Sequence, residues 1–417
     1  MALKHLAQVT YGLGQPPPSA SSGIPILRAT NIYRGRIHSE GLVYAALHDL
    51  PLERAPLLRA GEILVVRSGA YTGDSALVTE DWQGSAPGYD LRLTPHADTE
   101  PRFLAYQLLA SHVLHQIELV RSRAAQPHLN AEELGAIEVC CPRPKDQHAI
   151  ADFLDGETAR IDAVVDKKRQ LLEILAERRR AVMFRGVVGS LAPGVEVHDP
   201  GLPWAQEIRG PWPTVKIKYV ARLGTGHTPS RAHPEFWENC TIPWITTGEI
   251  KQVRDDRAEV ISETQENISK QGLANSAAEL HEERTVVLCR TASAGYSAIM
   301  GADMATSQDF ATWTCSNRLL PRYLLMCLRA MRDDLQGRLA FGSTHKTIYM
   351  PDIEDLKLPL PSVEEQREVL ADIDSLLVTI DALTDRLSRQ LALLAEHRQA
   401  LITAAVAGSI ALAGTAA

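Results

Sequence analysis

The sequence predicts an α+β fold: two globular α/β domains and two long antiparallel helices, arranged as a pseudo-two-fold internal repeat. Three observations predict it. Residues 142–190 align without a gap with residues 361–409, at a constant shift of 219. Both aligned segments are rich in helix-forming residues and carry apolar side chains at heptad spacing. The chain has 417 residues, 45% of them apolar, which is enough for two cores.

The repeat defines the order of the domains. About a third of the aligned helical positions are identical, among them Gln147 with Gln366 and Asp155 with Asp374. Upstream, Arg67 corresponds to Arg290, with small changes of shift that indicate loop insertions. The predicted segments are a first globular domain (1–145), a first helical segment (146–190), a Gly/Pro-rich connector (191–214), a second globular domain (215–360), a second helical segment (361–410) and a tail (411–417).

The globular domains mix strands with a helix. Residues 61–69 and 285–293 are predicted to be buried strands that end near Arg67 and Arg290. Residues 103–120 and 323–340 have helical periodicity, and polar turns follow at 123–130 and 341–348. Such turns offer backbone N–H groups, hydroxyls and a cation, which suits contacts to phosphates and base edges. The alternative is a solvated loop without a ligand.

The helical segments carry a seam. In the second copy an apolar residue recurs every seven positions, with Leu376 and Leu383 at the intermediate position. The first copy keeps the register but is interrupted by Lys168. Each stripe needs a partner, and the other helix of the chain is the economical one, which predicts a rod of about 55 Å. An antiparallel pair gives the symmetry of duplex DNA, although a coiled-coil scaffold fits the same pattern. The seam residues are Ile161, Leu175, Val182, Ile373, Ile380, Leu387, Leu394 and Leu401.

Charge and motif content restrict the function. A net charge of −8 argues, taken alone, against a protein that wraps nucleic acid by itself. The cysteines lack CxxC spacing and the N-terminus lacks a signal peptide, which favours the cytoplasm; the Ala-rich end from residue 401 is a poor membrane span. We find no NPPY-like tetrapeptide, no Gly-rich cofactor loop and no GxxxxGK[ST] motif, and no metal site is predicted.

Several motifs resemble one family. The phrases GTGHTPSR (224–231), CTIPWITTGEIK (240–251), RTASAGYSAIM (290–300) and GSTHKTIYMPDI (342–353) resemble the second target-recognition domain of type I restriction-modification specificity subunits. Residues 358–374 and 396–410 are similar to the repeated helical region of that family, and 199–208 to its entry into a recognition domain. The first domain departs from the pattern, since its loop is QPHLN where the second has GSTHKT.

The resemblance implies a non-catalytic subunit. Each globular domain would read one half of a split DNA sequence, and the helices would set the unread spacer. The partners would be double-stranded DNA, two methylase subunits, and motor-nuclease subunits held through the methylase core. S-adenosylmethionine, ATP and Mg would be bound by those partners only. Methylase subunits would dock on the outward helix faces that bear Arg178, Arg179, Arg180, Glu396 and Arg398.

The candidate DNA contacts follow from the polar turns, the strand ends and the resembling motifs. They are Arg67, Ser68, Gln126, His128, Asn130, His227, Thr228, Thr246, Thr247, Arg290, Thr291, Ser343, Thr344, His345, Lys346 and Thr347. Three alternatives remain: a specificity subunit of a related methylase-nuclease system, an enzyme with unrecognised motifs, and a non-DNA scaffold. Because residues 361–412 carry eight acidic and four basic side chains, we expect the subunit alone to bind DNA poorly.

Overall fold

The computed structural model describes residues 1–121, 127–342 and 346–410. It divides into two compact units, one formed by Met1–Arg169 with the segment from Leu387 onward, the other by Gln170–Arg386. Each unit holds a mixed α/β domain and portions of both long helices, which confirms the predicted α+β class. Among the described residues, no helix combines the length and apolar character that crossing a membrane would require.

The first unit is built on an antiparallel sheet. Its strands are β1 (Ala7–Tyr11), β2 (Ile24–Leu27), β3 (Ile32–Tyr33), β4 (Arg36–Ile37), β5 (Val43–Ala45), β6 (Ile63–Val65), β7 (Ser75–Leu77), β8 (Ala86–Pro87) and β9 (Leu91–Pro95). Its helices are α1 (Pro101–Leu109), α2 (Ser111–Arg121), α3 (Ala131–Ala136) and the first part of α4 (Pro144–Val187). The main sheet has the order β1-β9-β6-β7, beside a smaller sheet β5-β2-β8. Apolar side chains of β6 and β9 form one core with Leu104 and Leu108 of α1.

The predicted helix over 103–120 is interrupted. The backbone is extended at Ala110, which separates α1 from α2. The amide of Ser111 donates to Oγ1 of Thr403, and Nε2 of Gln399 donates to the carbonyl of Leu109. Periodicity alone did not reveal the break, because the freed backbone groups are satisfied by side chains from a segment about 290 residues away.

The second unit repeats this plan. A connector carries β10 (Val197–His198) and β11 (Ile208–Arg209). The strands that follow are β12 (Thr214–Lys216), β13 (Ala221–Thr225), β14 (Ile242–Ile245), β15 (Val260–Ile261), β16 (Glu266–Ile268), β17 (Val286–Cys289), β18 (Ser297–Met300), β19 (Ala305–Thr306), β20 (Phe310–Cys315), β21 (Ala340–Phe341), β22 (Thr347–Ile348) and β23 (Lys357–Pro359). The helices are α5 (Lys270–Ala274), α6 (Pro321–Ala330), α7 (Arg332–Asp334), α8 (Met350–Glu354) and α9 (Val363–Val406).

The sheets show the same internal correspondence as the sequence. The order β13-β20-β17-β18-β15 matches β1-β9-β6-β7, with β15 as an added parallel edge strand. The small sheet β16-β14-β19 corresponds to β5-β2-β8. The predicted helix over 323–340 is α6, then α7, then a π-helical turn at Leu335–Leu339.

The long helices pair antiparallel in each unit. In the first unit, Leu154 of α4 shares a core with Ile402 and Val406, near the end of α9. In the second unit, Met183 near the end of α4 shares a core with Ile373 near the start of α9. The beginning of each helix therefore lies against the end of the other, as the heptads predict.

The seam differs in detail from the heptad assignment. Ile161, Ile373 and Ile380 are buried, whereas Leu175, Val182, Leu387, Leu394 and Leu401 are half-buried. The prediction that the seam includes the intermediate heptad positions was wrong. Leu376 and Leu383 are each 45% exposed, and Leu377 is buried instead. Ile373, Leu377 and Ile380 follow the i, i+4, i+7 spacing of one helix face, so the position four residues after Ile373 is buried, not the position three after it. Lys168 stays in the pairing, because its ammonium donates to Oε1 of Gln390 at 2.7 Å.

The prediction that Arg179 and Arg398 face partner subunits is wrong. Arg179 is buried, with ion pairing to Asp381 and donation to the carbonyl of Asp256 at 2.9 Å. Arg398 lies 3.3 Å from Asp162, with only 20% of its side chain exposed. Both point into the helix pairing because each finds a carboxylate there. Arg178, Arg180 and Glu396 are exposed, as expected of an outward face.

Repeated polar side chains attach each domain to its helix. Gln147, near the start of α4, accepts from the amide of Glu100 and donates to the carbonyl of Pro142, both at 2.9 Å. Gln366 of α9 does the same with the amide of Leu320 at 2.8 Å and the carbonyl of Pro361 at 3.0 Å. Both glutamines are buried, so these bonds fix how each domain leaves its helix.

Candidate functional site

Two separate segments of the second unit meet beside the end of β17. The amide of Ile348 donates to the carbonyl of Arg290 at 2.8 Å, and the amide of Ala292 donates to the carbonyl of Lys346 at 3.1 Å. A β-bridge joins Thr291 to Thr347 between them. Four predicted contact residues, Arg290, Thr291, Lys346 and Thr347, therefore lie on one small surface.

The first unit builds the same surface after β6. The amide of Leu129 donates to the carbonyl of Arg67 at 2.8 Å, and a β-bridge joins Ser68 to His128. The amide of Gly69 donates to the carbonyl of Pro127 at 3.4 Å. Arg67, Ser68 and His128 are thus brought together as their counterparts are in the second unit. We call these two surfaces the paired-loop surfaces.

The other predicted contacts divide into three groups. Gln126, Ser343, Thr344 and His345 lie outside the described residues. Asn130 and Thr246 have structural roles: each side chain caps a helix, through the amide of Glu133 at 2.8 Å and the amide of Gly248 at 3.3 Å. His227 is exposed, Thr247 follows Thr246 in a 3₁₀ turn, and Oγ1 of Thr228 donates to Oε1 of Gln308 at 2.6 Å.

The loop backbone is left-handed at equivalent points. Gly69 has φ +93° and Ala292 has φ +61°. Glycine adopts this region without cost, whereas alanine is held there against a steric penalty of roughly 1 kcal/mol. The hydrogen bond from Ala292 to Lys346 is part of what holds it. Backbone strain of this kind concentrates at functional loops.

The two equivalent arginines have different surroundings. The Nε of Arg290 donates to the carbonyl of Gln308 at 2.8 Å, and another guanidinium nitrogen lies 3.4 Å from the carbonyl of Ile348. The guanidinium carbon of Arg67 instead lies 4.7 Å from the ring centroids of both Tyr11 and Tyr89. These tyrosines are 45% and 48% exposed and were missed by sequence reasoning. In the repeat Tyr89 corresponds to Asp309, because Leu91 and Ala311 pair with the equivalent residues Val65 and Leu288.

A buried carboxylate lies behind Arg67. Asp90 is almost fully buried and accepts from the amide of Arg67 at 3.1 Å. Burial raises the pKa of Asp90 to about 6, although the amide and the charge of Arg67 both act to lower it. A desolvated carboxyl favours its neutral form, which explains the direction.

Each paired-loop surface borders a cleft. In the first unit a groove of about 940 Å³ is lined by Tyr11, Gln15, Arg54, Arg67 and Tyr89, with other residues of the 10–17 and 49–55 segments. In the second unit a cavity of about 320 Å³ is lined by Arg254, Ser293, Tyr296, Gln336 and Lys346, with Ala292 and Ala294.

The second-unit cavity joins a cation to an aromatic ring. Arg254 donates to Oγ of Ser293 at 3.1 Å, and its guanidinium carbon lies 5.1 Å from the ring of Tyr296. Cationic and hydroxyl groups beside open space suit an anionic, hydrogen-bonding ligand. Within the described ranges, no cluster of three His, Cys, Asp or Glu side chains is placed to hold a metal ion.

The fold and the two paired-loop surfaces define the class of the protein. It is a duplicated α+β protein in which each half carries one paired-loop surface and the long helices pair antiparallel. Comparison with known families then identifies it. The model of the type I restriction modification DNA specificity domain matches residues 20–173 and 210–392, more than half of the chain. The chain belongs to this family.

Individual relatives agree with the family. The chain is 28% identical over 160 residues to the type I restriction enzyme MjaIX specificity subunit of Methanocaldococcus jannaschii, covering 38% of this chain and 36% of that protein. It is 22% identical over 187 residues to the EcoR124I/EcoR124II specificity subunit of Escherichia coli, covering 43% and 45%. The matched region thus spans less than half the length of either relative.

A solved structure shows the same fold over almost the whole chain. It is a chain from work on complex assembly and conformational transition of the type I R-M system. The TM-score is 0.63 at 16% identity, with 98% of this chain and 97% of the other covered. At this identity the likeness is one of fold.

Proposed function

We propose that the chain is the sequence-specific DNA-recognition subunit of a type I restriction-modification complex and reads a bipartite target. One observation carries the proposal: the same paired-loop surface is built twice, at Arg67–Gly69 with Pro127–Leu129 and at Arg290–Ala292 with Lys346–Ile348. A duplicated reading surface suits a target with two half-sites. Family membership supports the same function.

The helix pair supplies the spacer in this proposal. The antiparallel contacts of α4 and α9 would set the distance between the half-sites, as a ruler does. The seam is held by apolar cores and by ion pairs such as Arg398 with Asp162. Such a pairing resists change of register, which a fixed spacer requires.

Two methylase subunits would dock on the outward helix faces, with motor-nuclease subunits held through the methylase core. Support comes from side chains that α4 and α9 expose in the second unit. Leu171, Ile174, Leu376, Val378 and Leu383 are between 45% and 69% exposed, beside the charged Arg178 and Arg180. Large exposed apolar side chains with a polar rim are typical of docking surfaces.

The subunit would itself be non-catalytic. S-adenosylmethionine, ATP and Mg would be bound by the partner subunits, which would also supply most phosphate neutralisation. The net charge of −8 supports this division, since a chain with excess acidic residues holds a DNA backbone poorly without cationic partners.

The test is co-expression of this chain with the methylase subunit encoded next to it, followed by modified-base sequencing of the DNA of the expression host. We expect methylation at a two-part motif with an unspecified gap. The matched control is the methylase expressed without this chain, which should leave no motif. Methylation of an uninterrupted motif, or the same motif without this chain, would contradict the proposal. Assembly with unchanged DNA phenotypes after mutation of both paired-loop surfaces would favour a scaffold.

A further inference from the structure

We propose that Arg67 reads a guanine in the half-site of the first domain, with Tyr11 and Tyr89 holding its guanidinium in place. Arg290, its equivalent in the second domain, is a structural residue that reads no base. This inference rests on the proposed DNA-recognition function and names the chemistry of one of its contacts. The inference assigns different roles to Arg67 and Arg290, which occupy equivalent positions in the sequence repeat.

The surroundings of Arg67 leave its outer nitrogens available. Its Nε is buried, and within the described residues no oxygen accepts a hydrogen bond from the guanidinium. The contacts made by that group are the two tyrosine rings, each 4.7 Å from its central carbon. Since Nε is enclosed, the terminal NH₂ groups are the part that can meet a ligand in the 940 Å³ groove.

The tyrosines and Asp90 pre-organise the side chain. An arginine that stacks on aromatic rings keeps its charge and its planar donor edge while losing rotational freedom before DNA arrives. Asp90 fixes the backbone below it by accepting from the amide of Arg67. Because the entropy of ordering is lost on folding, less is lost on binding, which strengthens the contact with the matching base.

Guanine is the base that matches this donor edge. It presents two acceptors, O6 and N7, on its major-groove edge, and a guanidinium can bond to both. Adenine presents a donor at N6 beside N7, so it offers one acceptor fewer. A bidentate contact is worth about 1–3 kcal/mol of discrimination, or roughly 5- to 150-fold in affinity.

Arg290 is committed elsewhere. Two of its nitrogens approach the carbonyls of Gln308, just before β20, and Ile348, in the segment that faces Arg290 across the paired loops. By strand register, Asp309 stands where the first domain has Tyr89, and Thr225 stands where it has Tyr11. Main-chain acceptors therefore replace the aromatic rings beside Arg290. The same residue type contacts a base in the first domain and stabilises the loop in the second.

The decisive experiment compares R67Q with R290Q in the assembled methylase complex. Modified-base sequencing of the wild type first gives the motif. R67Q should relax a single G·C position in one half-site, with a 10- to 100-fold slower rate at the original motif. R290Q should lower the rate or thermal stability while leaving the preference at every position unchanged. Equal loss by R67Q on all sequences, or relaxation at an A·T position, overturns the inference.

A second measurement uses the wild-type complex and so does not depend on how a variant folds. Replacing that guanine with 7-deazaguanine removes the N7 acceptor and should weaken binding about tenfold. Inosine keeps O6 and N7 and should bind as guanine does. If 7-deazaguanine is tolerated at every guanine of the motif, Arg67 reads none of them through N7, and the inference is wrong.

These outcomes are distinct from failure of the proposed function. If the wild-type complex methylates no bipartite motif, the function itself is wrong before any variant is compared. Y11F and Y89F keep both rings and should retain the motif, whereas Y11A and Y89A should relax the same G·C position as R67Q. Retention of full specificity by both alanine variants would remove the tyrosines from the mechanism and overturn their assigned role.

Discussion

Nε of Arg398 lies 3.3 Å from a carboxylate oxygen of Asp162, and an equivalent ion pair joins Arg179 to Asp381. The members of the two pairs are related by the repeat shift of 219 residues. Each pair joins the later part of one long helix to the earlier part of the other. The internal duplication therefore extends to individual polar contacts of the helix pairing.

Removing the Arg179 side chain should destabilise the second unit. We expect Arg179→Ala to lower the free energy of unfolding by roughly 2 kcal/mol, because it removes a buried guanidinium that pairs with Asp381 and is one of two arginines donating to the carbonyl of Asp256. Denaturant unfolding measures the change. The matched control is Arg178→Ala, which truncates an exposed neighbour and should cost less than about 0.5 kcal/mol. Equal effects would contradict the buried role of Arg179.

Replacing Asp90 should alter how stability depends on pH. The folded-state pKa of Asp90, about 6, lies above the ordinary value of 3.8, so the folded protein binds this proton more tightly than the unfolded chain does. Stability from this group is therefore greatest at low pH and falls as pH rises from about 4 to 6. Asp90→Asn removes this loss of stability with rising pH, because an amide does not ionise. The side-chain oxygen of the asparagine can still accept from the amide of Arg67.

We therefore expect Asp90→Asn to be more stable than wild type at pH 7, by about 2–3 kcal/mol, and similar to it at pH 4. Thermal unfolding between pH 4 and 8 measures the difference. Glu40→Gln, a change of an exposed carboxylate in the same unit, is the control for general charge effects. A difference between Asp90→Asn and wild type that stays constant with pH would disprove the assignment.

Lys346 should contribute charge without sequence preference. Its side chain is exposed on the second paired-loop surface, where a phosphate can reach it. Lys346→Ala should weaken DNA binding of the assembled complex about equally on all sequences and reduce the salt slope by about 1. Affinity measured at several salt concentrations gives the slope. Lys357→Ala, on β23, is the matched control and should leave it unchanged.

Shortening both helices in register should shorten the spacer of the target. Deleting 165–171 and 389–395 removes one heptad from each helix and keeps both ion pairs. Seven residues are about 10.5 Å of helix, so the gap in the methylated motif should lose about three base pairs. Modified-base sequencing reads the gap directly. Removing two residues from each helix turns each apolar face by about 160° and should abolish assembly. An unchanged gap after the heptad deletion would contradict the proposal that the helices set the spacer.

The sequence predicts the repeated architecture well because repeats and heptads are properties of many positions at once. It places Arg67 and Arg290 at strand ends, where the structure builds the paired-loop surfaces, because strand ends carry a local signal. It does not separate their surroundings, since the ring of Tyr89 and the carbonyl of Gln308 are brought beside these arginines only by folding. For the same reason it assigns Arg179 and Arg398 to an outward face: a charged residue on a helix is usually solvated, and the carboxylate that overrides this lies on another helix.

The glutamines Gln147 and Gln366 have a consequence for how such a protein diversifies. Each clamps its domain by bonds to main-chain atoms, which exist whatever the side chains of the domain are. The attachment of each domain to its helix therefore does not depend on which side chains the loops of that domain carry. The residues of one paired-loop surface can therefore change, as the contrast between Tyr89 and Asp309 illustrates, without altering how the domain is attached to its helix.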